Sequence, residues 1–336
     1  MINSALFKRI IKSKEMLLVL IAIVVTLVFT FINVNFVSVG SLRGIMQAMS
    51  SVGILAVGVS CLFIGGGIDL SGSNVRLFSG VVLAIMMASG IHWVVAAITV
   101  LIIGACLGAI NAFFVAKLRM MPFIATIAVS NVLLGLNLAI TSGQNVPVPN
   151  EEFWWGGYSV FNIFPVPFLI MIVLLLAYGL MLSKTQFGRN IYLVGGNQAA
   201  ARLAGVNPVR IRSILYINNG IISAFSGVVL TSYMHTATPQ SQSDAQMTAI
   251  TAAILGGIAF TGGAGGMTGC FIGIVLLHVF NQGLNSMALD AYWTIIASGV
   301  LLVVALAVDF INEKTRTKAL KIKAVPVAGA RKEGGQ

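Results

Sequence analysis

The chain has 336 residues, of which 58% are hydrophobic and only 9% are charged. Soluble globular proteins carry about 25% charged residues, so this composition excludes an ordinary soluble enzyme, a disordered protein and a disulfide-rich secreted scaffold. The formal net charge is +11, from 20 basic and 9 acidic residues. What remains is an integral membrane protein, in which basic loops mark the cytoplasmic side and require no nucleic-acid partner.

A basic segment at 1–15 precedes the first apolar run, which begins at Met16. Because a helix needs roughly 20 apolar residues to cross a bilayer, the spacing of charges, prolines and polar clusters predicts an all-α fold with about ten transmembrane helices. In chain order, they are about 16–38, 43–65, 74–90, 93–116, 121–141, 163–182, 212–234, 246–262, 267–287 and 291–311. The transmembrane domain is predicted at 16–311, followed by a basic tail at 312–336.

An even number of helices places both termini on the same side of the membrane. With the termini in the cytoplasm, 18 of the 20 basic residues fall in cytoplasmic segments. Four acidic residues, Glu151, Glu152, Asp244 and Asp290, fall in the loops on the opposite side. The positive-inside rule therefore favours ten helices in this orientation, and a count of eight or twelve would break the separation of charge.

Two glycine-rich breaks interrupt the apolar runs, one near 65–73 and one near 256–266. Non-helical backbone at membrane depth is tolerated only where protein or a water-filled cavity surrounds it. Each break is therefore either a turn at the membrane surface or a re-entrant loop, and the sequence leaves both alternatives open. The two breaks also resemble each other loosely, as the duplicated halves of a transporter would.

Asp69 lies in the first break and is the most informative acid of the chain. A carboxylate beside the hydrocarbon core is costly, so this side chain should be paired, hydrogen-bonded or in contact with water. In one interpretation, Asp69, with Ser71 and Ser73, shapes a polar break at the end of the second helix and has a direct role in the transport pathway. In the other, Asp69 caps the next helix at the cytoplasmic interface and pairs with Arg76.

Uncharged polar residues within the apolar helices suit a neutral, polyhydroxylated solute better than an ion. Hydrogen bonds between helices explain each such residue at least equally well. The candidates for a pathway or gate are Gly66, Gly67, Asp69, Ser71, Asn131, Asn218 and Asn281.

The sequence offers no recognisable catalytic or cofactor site. It lacks a G-x-x-x-x-G-K-[ST] phosphate-binding loop, its three histidines are isolated, and its three cysteines lie singly in apolar runs. We therefore expect a protein that is not an enzyme, holds no metal or cofactor, and leaves any ATP to a partner.

The loop at 183–212 contains a predicted short helix at about 198–204. Asn197 is a good N-cap, residues 199–201 are alanines, and Gly205 is a natural stop. A short alanine-rich helix has little stability alone, because helix nucleation is unfavourable. It therefore needs a surface on which to lie, supplied either by its own bundle or by a cytoplasmic partner.

The chain resembles the permease subunits of the ribose, arabinose and xylose class of bacterial ABC importers. The motifs that carry this resemblance occur in the family's order between about residues 40 and 310. They are GGIDLS at 66–71, PFIAT at 122–126, TQFGR at 185–189, GGN at 195–197, AARLAG at 200–205, AILGG at 253–257 and GG at 262–263.

The resemblance implies a multi-pass permease of the bacterial inner membrane, within the lipid bilayer, paired with a second copy or a close paralogue. It also implies a cytoplasmic ATP-binding subunit, which would hold ATP and Mg²⁺, and a periplasmic sugar-binding protein. The segment that would dock on the ATPase comprises Asn197, Ala200, Ala201, Arg202, Leu203, Ala204 and Gly205. One departure is Gln198-Ala199, where similar sequences often have Pro-Glu, and the loss of the acid weakens a favourable helix-dipole contact.

The function implied is alternating-access import of a neutral monosaccharide, a pentose, a hexose or a related small polyol. An ion-coupled secondary transporter and a passive channel are the alternatives. The first would normally place several ionisable groups at mid-membrane, where this chain has few. A passive channel would not require a helix that docks on a partner.

Overall fold

The computed structural model describes residues 14–240 and 245–287, together with isolated positions between 292 and 303. Helices make up most of this part of the chain. They are α1 Lys14–Ile32, α2 Val39–Ile64, α3 Gly72–Ala88, α4 Trp93–Ala112, α5 Pro122–Thr141, α6 Val166–Lys184, α7 Gln186–Gly196, α8 Gln198–Leu203, α9 Pro208–Met234, α10 Ala245–Leu255 and α11 Met267–Ser286. A π-helical turn, Phe113–Lys117, continues α4, and 3-10 turns lie at Val34–Val37 and Glu151–Gly157.

Four short strands form two antiparallel pairs in the connecting segments. In the first pair, β1 (Val146–Pro147) lies beside β4 (Thr236–Ala237), with Val146 opposite Ala237. In the second, β2 (Ser159–Val160) lies beside β3 (Phe164–Pro165). The first pair ties the loop after α5 to the residues that follow α9, so it closes one end of the bundle.

The loops divide the helix bundle into two ends that differ in charge. The end with the strand pairs, which we call the hairpin end, also carries the exposed Glu151 and Glu152. The opposite end, which we call the basic end, is formed by residues 113–121, 184–207 and 256–266. Its basic residues are Lys117, Arg119, Lys184, Arg189 and Arg202.

Six of the described helices are long and apolar enough to cross a membrane, namely α2, α4 with its π-helical turn, α5, α6, α9 and α11. The apolar part of α1, and α3 and α10, are shorter. Peripheral helices expose large apolar side chains such as Ile102, Val132 and Val173. An apolar exterior of this kind requires lipid around it, so the chain is a multi-pass integral membrane protein.

Nine of the ten predicted spans coincide with helices, and the tenth, 291–311, lies largely outside the described residues. The predicted span 246–262 is wrong in its second half, because α10 ends at Leu255. Glycines end it: Gly257 and Gly262 adopt φ values of +83° and +93°, which break a helix. The 11 described residues of α10 rise only about 16 Å, roughly half of a bilayer core.

The central helix of the bundle is α9, which packs against α2, α3 and α4. Its contact with α4 is made by backbone on backbone, because Gly104 and Gly220 face each other and Gly108 faces the carbonyl of Tyr216. Small residues at these positions allow two helices in lipid to approach closely. The largest hydrophobic core surrounds α2 and includes Leu55 and Phe63, both fully buried.

Candidate functional site

The first glycine-rich break runs back into the bundle along α9. Tyr216 donates its hydroxyl to the Ile68 carbonyl at 2.9 Å, and Asn219 donates from Nδ2 to Asp69 Oδ2 at 2.9 Å. Because a helix rises 1.5 Å per residue, Asn219 lies about 16 Å from the first residue of α9, a helix about 40 Å long. Asp69 is therefore nearly halfway along the central helix.

Gly72, the first residue of α3, begins inside the bundle. A side chain at Gly72 would collide with Ser223 of α9 and would contact Leu55 of α2, and both residues lie far from the ends of their helices. The first break is therefore re-entrant rather than a turn at the surface. It is tolerated there because surrounding helices satisfy its polar groups.

The carboxylate of Asp69 is the centre of a buried hydrogen-bond network. Its exposed fraction is 2%. Oδ1 accepts from the backbone N–H and the hydroxyl of Ser71, at 2.8 and 2.6 Å. Asn111 Nδ2 lies 2.8 Å from Ser71 Oγ and 3.3 Å from Asp69 Oδ2. Asn111 of α4 and Asn219 of α9 therefore both donate to the same carboxylate and link the two helices through it. A buried carboxylate requires hydrogen-bond donors of this kind, because it has no water to replace them.

Of the two interpretations of Asp69, the one that pairs it with Arg76 at the cytoplasmic interface does not agree with the structure. Among the described residues these two side chains form no ion pair, because Arg76 lies one turn into α3 and its Nη1 donates to Ser51 Oγ of α2 at 2.9 Å. Asp69 instead holds the turn that leads into α3, while Asn111 and Asn219 supply the donors that a cation was expected to provide.

The helix α10 joins the same network near its described start. Gln246 donates from Nε2 to the Asp69 backbone carbonyl at 2.6 Å, and its side chain also packs against Gly72. The first break and the described start of α10 therefore meet inside the bundle, and α3 and α10 run from this level in opposite directions.

A second meeting point lies at the basic end and is built from backbone alone. Gly66 of the first break, Gly195 and Gly196 of α7, and Gly262 and Gly263 of the second break pack against one another. We call these five residues the glycine junction. A Cβ atom at Gly195 would overlap the Ile64 carbonyl, which accepts a 2.8 Å hydrogen bond from the Gly263 N–H. Only glycine permits this approach, and three members also have positive φ.

The predicted short helix of the 183–212 loop is confirmed as α8. Asn197 Oδ1 accepts hydrogen bonds from the N–H groups of Ala199 and Ala200 at 2.9 and 3.1 Å. Gly205 follows the helix with φ +76°, the left-handed conformation expected at a helix end. Because Asn197 directly follows Gly196, α8 is attached to the glycine junction without an intervening linker.

The two faces of α8 differ sharply in exposure. Ala201 is fully buried against the bundle, whereas Leu203 is 91% exposed. Of the two surfaces anticipated for this helix, the bundle supplies one, because it buries the face that carries Ala201. The other face exposes a large apolar side chain.

The amphipathic helix α7 anchors α8 to the second break. Ile191 and Val194 are buried, and Tyr192 donates its hydroxyl to the Gly265 carbonyl at 2.8 Å. Burial raises the pKa of the Tyr192 phenol, and the nearby Cys61 raises it further, so the group remains a neutral donor. A displacement of α7 would therefore pull on the second break directly.

A cavity of about 540 Å³ opens towards the hairpin end between α2, α3 and α9. Its floor includes Ala245, the first described residue of α10. The polar side chains among its described lining residues are Gln47, Ser51, Arg76, Asn145, Tyr233, Thr238 and Gln240. We call it the vestibule.

The remaining pathway candidates lie apart from this network. Asn218 accepts a 2.6 Å hydrogen bond from the Tyr178 hydroxyl, which joins α9 to α6. Asn131 is exposed on α5, and Asn281 is half-buried on α11. The candidates predicted from sequence did not include Asn111, Asn219 or Gln246, and the only local signal for these residues was a polar side chain in an apolar helix.

The chain matches the family model described as the branched-chain amino acid transport system permease component over residues 41–306. It is 35% identical over 302 residues to the ribose import permease protein RbsC of Escherichia coli K12, covering 89% of this chain and 92% of that protein. It is 30% identical over 291 residues to the L-arabinose transport system permease protein AraH of the same strain, covering 84% and 86%. A probable ABC transporter permease of Sinorhizobium fredii is 32% identical over 278 residues, covering 82% and 83%. No solved structure matches the chain.

The chain belongs to this family of ABC transporter permeases. The match extends from the start of α2 into the last predicted span, so the junction, the network and α8 all lie inside it. As a permease component, the chain is a transport subunit and not an enzyme. The resemblance drawn from the motifs is thereby confirmed.

Proposed function

We propose that this chain is the permease subunit of an ATP-driven importer that moves a neutral monosaccharide, a pentose, hexose or related small polyol, inward by alternating access. Its relatives are named for ribose and arabinose, which supports this class of substrate. The observation that carries the proposal is α8, a capped helix with an exposed Leu203 that is attached directly to the glycine junction.

In this proposal the chain lies in the bacterial inner membrane with its basic end in the cytoplasm, because basic loops remain on that side. The segments 1–15 and 312–336 are then cytoplasmic as well. A second copy or a paralogue completes the pathway, and a separate ATP-binding subunit, holding ATP and Mg²⁺, contacts α8. A periplasmic sugar-binding protein contacts the hairpin end, where Glu151 and Glu152 are exposed.

The glycine junction supplies the mechanical link between ATP hydrolysis and the pathway. Gly195 contacts the backbone of both glycine-rich breaks, with no side chain between them to absorb a displacement. A shift of α8 against the bundle therefore moves Ile64 and Gly263 together. Closely packed backbones transmit such shifts as discrete rearrangements rather than gradual deformation.

Towards the hairpin end, the vestibule supplies the polar surface that a sugar requires. Amide and hydroxyl groups of Gln47, Ser51, Asn145 and Gln240 line it, and its volume of about 540 Å³ exceeds that of a monosaccharide. Groups that both donate and accept hydrogen bonds suit the hydroxyls of a neutral solute.

An ion-coupled transporter is disfavoured by the same geometry. Among the described residues the one carboxylate deep in the bundle, Asp69, already accepts from Ser71, Asn111 and Asn219. A coupling ion would have to displace these donors. Uptake that depends on an ion gradient and needs no ATP would nevertheless establish that alternative, and uptake that needs neither would establish a channel.

The test is a Leu203→Asp variant in vesicles that contain the permease, its ATP-binding subunit and its binding protein. A charge placed in an apolar contact is costly, so we expect sugar uptake and stimulated ATP hydrolysis to fall roughly tenfold or more. The control is Gln186→Asp, which adds the same charge to an exposed position at the same end. It should retain both activities.

Two results would contradict the proposal. Unchanged uptake by a normally inserted Leu203→Asp variant would remove α8 from the mechanism. Sugar uptake by vesicles that contain only this chain would exclude an ATP-driven importer, whatever the state of α8.

A further inference from the structure

A separate cavity of about 470 Å³ lies at the basic end, between the π-helical turn and α8. None of its described lining residues is acidic. Those that matter here are Arg119, Arg202, Arg212, Gln198, Met120 and Met121. We call it the arginine pocket.

The three guanidinium groups have no counter-charge among the residues that line the pocket. Arg212 is held in place because its Nη2 donates to the Gly66 carbonyl at 3.2 Å, while its buried Nε has no hydrogen-bond partner in the described structure. Arg119 and Arg202 are exposed. Three cations around one cavity repel each other unless an anion lies between them, and a planar guanidinium fits the oxygens of a phosphate in particular.

Helix ends add to the positive potential of the pocket. Pro122 and Pro208, the first residues of α5 and α9, both line it. The N-terminus of a long helix carries about half a positive charge, which favours a nearby anion. The residue before α5, Met121, provides no side-chain cap for its N–H groups, so that end remains available to a ligand.

An exposed apolar strip adjoins the pocket at Met121, which is one of its lining residues. Met121 is 68% exposed, and Phe123 and Ile124, in the first turn of α5, are more than half exposed. A small soluble anion would gain nothing from this surface. A basic recess that adjoins an exposed apolar strip instead matches an amphiphile with a phosphate headgroup and hydrocarbon chains.

We propose that the arginine pocket binds the phosphate headgroup of an anionic phospholipid, with the acyl chains against the first turn of α5. The site is distinct from the vestibule and from the exposed face of α8 at Leu203. Because Gln198 and Arg202 belong to α8, the bound lipid contacts the same short helix that we propose meets the ATP-binding subunit. The activity of the permease then depends on the lipid composition of the membrane.

The test uses the full chain purified in detergent and native mass spectrometry with phosphatidylglycerol or phosphatidylcholine. The wild type should retain phosphatidylglycerol, which is anionic, more strongly than phosphatidylcholine, which has no net charge. Removing one arginine near a membrane surface costs about fivefold in affinity for an anionic lipid, so Arg119→Gln should bind it about fivefold more weakly. The control is Arg189→Gln, which removes an exposed charge from the same end but does not line the pocket, and it should bind as the wild type does.

Three outcomes would overturn the assignment. Equal weakening in Arg119→Gln and Arg189→Gln would show diffuse attraction rather than a site. Complete displacement of the lipid by inorganic phosphate at the same concentration would show a site for a free anion. Loss of ATPase binding in Arg119→Gln, with lipid binding intact, would assign the pocket to the partner subunit. The lipid measurement needs neither sugar nor ATPase, so its failure is distinguishable from failure of the proposed function.

Discussion

At the scale of single residues, Asp69 determines how the re-entrant break is held inside the bundle. Its carboxylate accepts from Ser71, Asn111 and Asn219, which belong to three separate parts of the chain. The local part of this arrangement follows from sequence, since an aspartate two residues before a serine favours a turn that accepts the serine N–H. The long-range donors do not follow, because no local pattern states which helices will face each other.

The network predicts a clear difference between two asparagines of the chain. Replacing Asn219 with alanine leaves Asp69 Oδ2 short of its 2.9 Å donor inside the bundle. Asn111, at 3.3 Å, remains as a weaker donor to this oxygen, so we expect a loss of about 1.5–3 kcal/mol in the free energy of unfolding, the usual contribution of one hydrogen bond to a charged group. Unfolding in mixed micelles by added sodium dodecyl sulfate measures this change.

The matched control is Asn131→Ala, the same substitution at an exposed position of α5. It should leave both stability and sugar uptake unchanged, since no hydrogen bond of the network involves Asn131. Equal destabilisation in the two variants would mean that Asn219 does not hold the carboxylate. If Asn131→Ala alone lost sugar uptake, Asn131 would belong to the transport pathway after all.

At the scale of elements, the predictable features are those with local causes. Asn197 and Gly205 bound α8 because a cap and a left-handed glycine act within a few residues. The length of the apolar runs likewise predicted α2, α9 and α11. The same criterion was wrong for the span 246–262, because the sequence stays apolar past Leu255 whereas the backbone turns at the following glycines. That the two breaks and α7 meet could not be predicted, because glycine carries no side chain whose pattern would reveal a contact.

The glycine junction provides a second pair of neighbouring variants. A Cβ atom at Gly195 would overlap the Ile64 carbonyl and the Gly263 N–H, whereas one at Gly196 meets nothing within 4 Å. Overpacking of this kind costs about 1–3 kcal/mol, so Gly195→Ala should either destabilise the chain by that amount or push the junction apart. In both cases we expect ATP hydrolysis to continue while sugar uptake falls.

The ratio of sugar transported to ATP hydrolysed, measured in vesicles of the complete transporter, distinguishes these variants. Gly196→Ala should retain the wild-type ratio, because it alters the same segment without a collision. A normal ratio in Gly195→Ala would mean that the junction is only a packing contact and that α8 acts on the pathway by another route.

At the scale of the whole molecule, charge distinguishes the two ends of an otherwise apolar bundle. The exposed acids Glu151 and Glu152 lie at the hairpin end, and Lys184 and Arg189 lie at the basic end with the arginine pocket. The composition predicts the membrane environment because too few charges exist to cover a water-facing surface. Orientation depends on the sum of many loops, so it follows from the full charge pattern and from no single helix.

The orientation proposed above predicts which end a membrane-impermeant maleimide reaches in unlysed cells whose outer membrane has been removed. In a chain whose exposed Cys106 is replaced by alanine, Glu151→Cys should be labelled from outside, because the proposed orientation places the hairpin end on the periplasmic side. Lys184→Cys, exposed at the basic end, should be labelled only after the cells are lysed. The reverse pattern would place α8 on the side without ATP, and an ATPase could then no longer reach it.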